Sequence, residues 1–278
     1  MSVNLVANGA CSPGDPGNRI LEEAQKMKFD PYNPQDLSSE AVFEKAIAAI
    51  GGTRPAAILG QNPNHKNADW VIADKQFVIE HKQLESSFAD SEAFKKSVLE
   101  LRLRYVQAKK ASIFGVPHVS ARHEFSLEYI RLYRKPLART IKSANRQIRE
   151  TRVRLGWPKG QGVLVLSNKN LLNVIPLGVC MIVEGILGGA YSEIGGVVYI
   201  TNHYVDIPGS DLAHSLWIPV YKQSGEPPPM HIMAFIDDFG RKMATHMRSS
   251  SPDFVKAEYR ADSADALRVM QARPIRRR

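Results

Sequence analysis

The stretch ADWVIADKQFVIEHKQL, residues 68–84, decides the fold, because its pattern is typical of a β-hairpin. Two strand-like runs, 68–73 and 76–84, flank a turn at residues 74 and 75. Most side chains in these runs are apolar, whereas Asp69, Glu80 and Lys82 are charged. Burying a charge in a strand costs free energy unless the charge has a partner or a function. We therefore interpret these three residues as the candidate functional site.

The register of the hairpin determines whether the three charges meet. A two-residue or a four-residue turn pairs residues whose numbers sum to 149, which places Asp69 opposite Glu80. A three-residue turn would instead pair Asp69 with His81. Because side chains alternate along a strand, the first register also puts Lys82 on the same face as Glu80. The sequence then predicts two carboxylates and an ammonium close together.

Two carboxylates that face each other repel, so one must be protonated or a cation must lie between them. Oxygen ligands suit Mg²⁺ or Mn²⁺, which would polarise a phosphodiester and lower the pKa of a bound water. Lys82 could orient that water or stabilise the charge that develops on the phosphorane. The His81 side chain is expected on the opposite face, so only its backbone carbonyl would reach a metal held by Asp69 and Glu80.

These residues resemble the motif of the PD-(D/E)XK phosphodiesterases, also called restriction-endonuclease-like nucleases. Asp69 matches the first acid of that motif, although Ala68 replaces the usual proline, and Glu80-His81-Lys82 matches the second part. The resemblance implies an α/β fold with a central mixed β-sheet flanked by helices, as in the restriction-endonuclease-like core. It also implies a magnesium-dependent endonuclease that hydrolyses phosphodiester bonds.

The resemblance extends over residues 38–167 and implies further site residues. Glu44, in a helix ahead of the hairpin, occupies the place of an additional catalytic glutamate. Lys142 and Gln147 are similar to a basic residue and a glutamine that the family often carries on a helix after the hairpin. The resemblance thus implies that Glu44 is catalytic and that the later pair contacts nucleic acid.

The positive charge of the chain is clustered. The formal net charge is +9, and residues 131–159 alone contain ten basic residues and one acid. Within them, Lys142, Arg146 and Arg149 recur at helical spacing, so they can follow a phosphate backbone. Nucleic acid is the expected partner, with DNA favoured over RNA by the resemblance and the charge. The alternative for this helix is a basic face that only contacts solvent.

The composition limits the classes of protein to which the chain can belong. With 44% hydrophobic residues the chain can bury a large core, and its two cysteines exclude a disulfide scaffold. No apolar run is long enough to span a bilayer, and we expect a cytoplasmic protein without a membrane partner. We divide the chain into an irregular N-terminal arm (1–37), a nuclease domain (38–247) and a basic polar tail (248–278).

Two other functions remain open at the level of sequence. The first is a catalytically inactive protein of the nuclease fold that binds nucleic acid or a partner protein. The second is a structural protein with a basic face, which would neither cleave nucleic acid nor bind it in a strongly salt-dependent way. The oligomeric state is also open, a homodimer included.

Overall fold

The computed structural model describes eleven stretches of the chain, which together hold the whole hairpin and the basic helix. They are residues 2–8, 40–60, 66–84, 89, 91–169, 171–189, 191–210, 213–222, 227–250, 254–260 and 268–275.

Helices and strands alternate along most of these residues. The helices are α1 (Glu40–Ala48), α2 (Ala56–Leu59), α3 (Glu92–Gln107), α4 (Arg122–Leu132), α5 (Arg134–Leu155), α6 (Pro176–Leu187) and α7 (Met230–Ser250). The strands are β1 (Ser2–Asn8), β2 (Gly52–Thr53), β3 (Trp70–Ile72), β4 (Phe77–Leu84), β5 (Gln161–Asn168), β6 (Ile194–Thr201), β7 (Val205–Asp206), β8 (Ala213–Val220), β9 (Phe254–Arg260) and β10 (Arg273–Pro274).

The described strands form one mixed sheet, so the expected α/β class with a central mixed sheet and flanking helices is confirmed. Eight strands follow the order β10-β7-β8-β6-β5-β4-β3-β2, while β1 pairs with β8 and carries β9. The central strands β4, β5 and β6 are parallel neighbours, and the other pairings are antiparallel. Helices α3, α4 and α5 lie in the connection from β4 to β5, and α6 lies in the connection from β5 to β6. Parallel neighbours need such crossover connections.

Helices cover both faces of the sheet. On the face that we call the α5 face, apolar side chains of α5 and α6 pack on residues such as Val71, Val78 and Leu164. On the opposite face, the α1 face, apolar side chains of α1 and α7 pack on residues such as Trp70 and Ile79. The middle of the sheet is therefore buried on both sides, which accounts for the nearly continuous apolar sequence of β5.

Both the predicted N-terminal arm and the predicted C-terminal tail contribute strands to the sheet. The N-terminal arm is not irregular throughout, because β1 lies within it and pairs with β8 and β9. The C-terminal tail likewise contributes β9 and β10 to the sheet. Apolar and polar residues do alternate in β1, where Val3 and Leu5 flank Asn4. This short strand pattern is followed at once by a Gly- and Pro-rich stretch. The rest of the arm, residues 9–37, lies outside the described residues.

Candidate active site on the α5 face

The β3–β4 hairpin has the register that the sequence predicts. Trp70 pairs with Ile79 and Ile72 with Phe77, so the paired numbers sum to 149 across a four-residue turn at 73–76. Asp69 lies directly before β3, and its backbone N–H donates to the carbonyl of Ile79 at 3.1 Å. The three-residue turn is therefore excluded, and Asp69 lies beside Glu80.

The three charged side chains share one face of the sheet. Val71 and Val78 pack in the core of the α5 face, and alternation puts Asp69, Glu80 and Lys82 on that face as well. The His81 ring lies on the other face, where its centroid is 4.7 Å from that of Phe43. Its Nε2 lies 2.6 Å from Oγ of Ser167 on β5. The expected division between the two faces is thus observed.

Glu80 has the most unusual environment of the three charged residues. Its side chain is fully buried, and neither carboxylate oxygen accepts a hydrogen bond of normal geometry from the described residues. Lys82 forms an ion pair with Oε1, and the nearby Asp69 adds a second negative charge. Burial, and after it the repulsion by Asp69, raises the pKa of Glu80 from 4.5 to about 7, although Lys82 opposes this shift. A buried carboxylate with a second carboxylate beside it favours a cation between the two.

Asp69 is held in place by the backbone of β4. Its Oδ2 accepts a hydrogen bond from the His81 N–H at 2.8 Å. The N–H and C=O of one strand residue point to the same edge of the strand, so the His81 carbonyl lies on the Asp69 side of β4. The backbone carbonyl that we expect as a metal ligand is therefore on the correct side of β4.

Lys82 is positioned by a side chain from α5. Its Nζ donates to Oε1 of Gln147 at 2.9 Å, and Gln147 Nε2 donates to the carbonyl of Asn67 at 3.3 Å. The Gln147 side chain is buried, with 7% of its surface exposed. The structure turns Gln147 toward Lys82, and its expected contact with nucleic acid stays a prediction. The helical periodicity places Gln147 on the buried face of α5, which turns it toward the sheet and away from solvent.

The same face of α5 holds the segment that precedes β3. Thr151, which is fully buried, accepts a hydrogen bond from the Ala68 N–H at 2.8 Å, and Arg154 donates to the Asn67 side chain. Gln147, Thr151 and Arg154 are spaced by four and three residues, so they form one stripe along the helix. The sequence analysis missed Asn67, Thr151 and Arg154. The available signal was a polar stripe next to the apolar face of a helix.

Contrary to the prediction, the structure does not bring Glu44 together with the carboxylates of Asp69 and Glu80. Its helix, α1, packs on the α1 face, whereas Asp69 and Glu80 lie on the α5 face. The Glu44 carboxylate is half exposed and pairs with Arg54, whose guanidinium also donates to the Asp69 carbonyl at 3.5 Å. Arg54 further lies over the Trp70 ring, 4.7 Å from its centroid. Glu44 is therefore linked to the hairpin through Arg54, a residue that the sequence analysis did not consider.

The three predicted phosphate-binding residues share the outer side of α5. Lys142, Arg146 and Arg149 are all exposed, and Arg146 lies 3.9 Å from Glu150 in a surface ion pair. Arg149 also lines a surface cavity of about 440 Å³ at the end of the helix, together with Arg152 and Trp157. The outer side of α5 is thus free to contact a large anionic partner, while its inner side holds Lys82.

The donor set of the site fits a hard divalent cation. Asp69 and Glu80 supply carboxylate oxygens, and His81 supplies a carbonyl on the Asp69 side of β4. Within those residues no three His, Cys, Asp or Glu side chains form a metal-binding group. A cation here would take its remaining ligands from water or substrate, as Mg²⁺ commonly does.

The chain matches no family model, and it shows no significant similarity to a curated protein or to a solved structure. Within the part of the chain that the structure describes, no helix has the length and apolar character needed to cross a membrane.

Proposed function

We propose that the chain is a metal-dependent nuclease that hydrolyses phosphodiester bonds of nucleic acid, with DNA as the favoured substrate. The observation that carries the proposal is the Glu80 carboxylate. It is fully buried, a second carboxylate, Asp69, lies beside it, and Lys82 forms an ion pair with it. A fold keeps such a costly group when the group has a function, and shifted pKa values cluster at active sites. The resemblance of Asp69 and Glu80-His81-Lys82 to the PD-(D/E)XK motif also supports the proposal.

The proposed roles follow from the positions of the side chains. Asp69, Glu80 and the His81 carbonyl would hold Mg²⁺ or Mn²⁺. When bound, the ion would polarise the phosphodiester and lower the pKa of a water molecule. Lys82 would place its ammonium next to the phosphate and stabilise the charge that develops there. Gln147 would hold Lys82 in this position through the hydrogen bond to Nζ.

The substrate class rests on the basic side of α5. Lys142, Arg146 and Arg149 are exposed on the helix whose inner side binds Lys82, so a phosphate backbone that follows them runs along the outer side of the helix that positions Lys82. Phosphate contacts of this kind orient the nucleic acid and carry no sequence information. Cleavage specificity would have to come from other contacts.

One observation favours a second candidate, a catalytically inactive protein of this fold that binds nucleic acid or a partner protein. The third expected carboxylate, Glu44, is paired with Arg54, so within the described residues the cluster is limited to the carboxylates of Asp69 and Glu80. The two candidates differ in their need for a metal, because only the nuclease requires a divalent cation at Asp69 and Glu80.

The test is cleavage of supercoiled plasmid, linear DNA and RNA at pH 8, with Mg²⁺ and with a chelator. The proposal predicts Mg²⁺-dependent cleavage that Lys82→Ala abolishes and that Lys75→Ala leaves unchanged. Lys75 is a matched control, because it is exposed in the turn of the same hairpin. Equal activity of Lys82→Ala and the unsubstituted chain would contradict the proposal. Salt-dependent binding without any cleavage would favour the second candidate.

A further inference from the structure

Two large apolar side chains are held out into solvent at the tip of the loop between α3 and α4. Ile113 and Phe114 are each 83% exposed, and Val116 and Val119 are 57% and 78% exposed. Most apolar residues of this size are buried, and clusters of exposed ones mark interaction sites. We call residues 112–116 the apolar tip.

Hydrogen bonds fix the shape of the apolar tip. The Gly115 N–H donates to the Ser112 carbonyl at 2.8 Å, which makes Ile113 and Phe114 the two central residues of a β-turn. The Ser112 N–H donates to the Val116 carbonyl at 2.9 Å. Gly115 has a φ of +74°, and a Cβ at this position would lie 3.2 Å from the Arg102 side chain. The turn therefore displays its two apolar side chains in a defined geometry.

Positive charge surrounds the apolar tip. Residues 101–123 contain five Lys or Arg residues and no Asp or Glu. Two of the five, Arg104 and Lys110, form ion pairs with acids of α4. The other three are Arg102, Lys109 and Arg122, which are exposed and form no ion pair within the described residues. We call these three residues the basic rim. An apolar tip with a basic rim is complementary to a partner that has both apolar surface and negative charge.

The place of the apolar tip in the fold favours nucleic acid among such partners. Helices α3, α4 and α5 all belong to the connection between β4 and β5, and α5 packs on the face that carries Glu80. The tip and the basic side of α5 thus extend from one helical layer. This layer lies on the face of the candidate site.

We propose that the apolar tip inserts Ile113 and Phe114 between nucleic-acid bases, while Arg102, Lys109 and Arg122 bind the adjacent phosphates. Some DNA-binding proteins insert apolar side chains between neighbouring bases. The free energy needed to separate the stacked bases is lowest where the stacking is already interrupted. The preferred substrate is therefore a junction between single-stranded and double-stranded nucleic acid. This inference depends on the proposed function in one respect, which is the choice of nucleic acid as the partner.

The test uses the full chain without metal, so that binding is measured and cleavage is prevented. The probe is a forked DNA duplex with 2-aminopurine at the base next to the fork. The unsubstituted chain should raise the 2-aminopurine fluorescence and should bind the fork more tightly than a continuous duplex. The double variant Ile113→Ser/Phe114→Ser should lose the fluorescence change and bind the fork roughly tenfold more weakly, since a stacked base contributes about that much affinity.

The matched control is Met230→Ser. Met230 is 85% exposed at the start of α7, whose apolar side chains pack on the α1 face. This variant should bind like the unsubstituted chain. The slope of log affinity against log salt should stay the same in the double variant, because the basic rim is unchanged.

The outcomes separate this inference from the proposed function. Unchanged fork binding and fluorescence in the double variant would overturn the inference, whereas Mg²⁺-dependent cleavage could still be observed. Absence of any DNA binding would also overturn the inference, whereas the proposed function is overturned only if cleavage of DNA and of RNA with Mg²⁺ is absent as well. A double variant that loses affinity for phosphatidylserine vesicles, and not for the fork, would overturn the inference in favour of a membrane surface.

Discussion

Glu80 combines full burial with a neighbouring negative charge on Asp69, and this combination has a measurable effect on its pKa. Its pKa is raised from 4.5 to about 7, so the folded state binds a proton more tightly than the unfolded state does. Without metal, the contribution of this proton to stability is complete below pH 4.5 and is lost as the pH rises through 7. A shift of this size corresponds to roughly 3 kcal/mol.

We therefore expect Glu80→Gln to flatten the pH dependence of stability. In the presence of a chelator, the free energy of unfolding of the unsubstituted chain should fall between pH 5 and pH 8 relative to that of the variant. Urea unfolding of both proteins across this range measures the difference. Parallel curves would show that Glu80 titrates at its ordinary pKa. The variant keeps the shape of the side chain, so packing is conserved.

Gln147 provides a second test at the level of one residue. Because its Oε1 accepts a hydrogen bond from Lys82, Gln147→Leu should lower kcat by about tenfold or more and leave KM nearly unchanged. A direct contact with nucleic acid would instead raise KM and change its salt dependence. Steady-state cleavage kinetics with Gln147→Glu as a second variant separate these cases. The acid can accept the Lys82 hydrogen bond, so it should restore part of the kcat that Leu loses.

The sequence predicts single residues well where strand alternation alone decides their position. Asp69, Glu80 and Lys82 were assigned to one face from the register, and the structure agrees. Glu44 and Gln147 depend on how a helix packs against the sheet, which is a tertiary property. The resemblance implies a role for both positions. The partners that determine these roles are distant in sequence, since Arg54 is 10 residues from Glu44 and Lys82 is 65 residues from Gln147.

At the scale of elements, α5 combines two roles on opposite sides. Its inner side positions Lys82 and the segment before β3, and its outer side carries Lys142, Arg146 and Arg149. Pro136 is compatible with this helix, because it lies in the first turn, where a backbone N–H has no helical acceptor. The preceding helix, α4, ends at Leu132, so the break between the two helices falls ahead of the proline.

The outer side of α5 should affect affinity and not chemistry. Replacing Arg149 with Ala should lower the slope of log affinity against log salt by about one unit on duplex DNA, since one phosphate contact is lost. The value of kcat at saturating substrate should change little. Binding across a salt series checks this, and Arg241→Ala on α7 serves as the control because α7 packs on the α1 face. An unchanged slope for Arg149→Ala would show that this side of α5 contacts only solvent.

The whole molecule shows why its ends were harder to predict than its centre. Strands β4, β5 and β6 are buried on both faces, so their apolar sequences predict them directly. Strands β1 and β9 gain their structure mainly from pairing with each other and with β8. Pairing between residues more than 200 positions apart leaves little local signal, and the predicted arm and tail therefore missed both strands.

Metal binding should be visible as a gain in the stability of the whole chain. If Mg²⁺ binds the folded state only, a concentration 100 times Kd stabilises it by about 2.7 kcal/mol. The ion competes with the proton on Glu80, so the increase in Tm should be large at pH 8 and should disappear below about pH 6. Thermal unfolding with and without Mg²⁺ measures this increase, and Asp69→Asn should abolish it. An equal increase for Asp69→Asn would place the ion elsewhere.

The most direct measurement is the anomalous scattering of Mn²⁺ in crystals soaked at pH 8, where Glu80 is ionised. The proposed function predicts a strong anomalous peak between the carboxylates of Asp69 and Glu80, within ligand distance of the His81 carbonyl. The peak should be absent in crystals of Asp69→Asn. Anomalous peaks only at other positions, or no anomalous peak at all, would contradict the metal site on which the proposed nuclease depends.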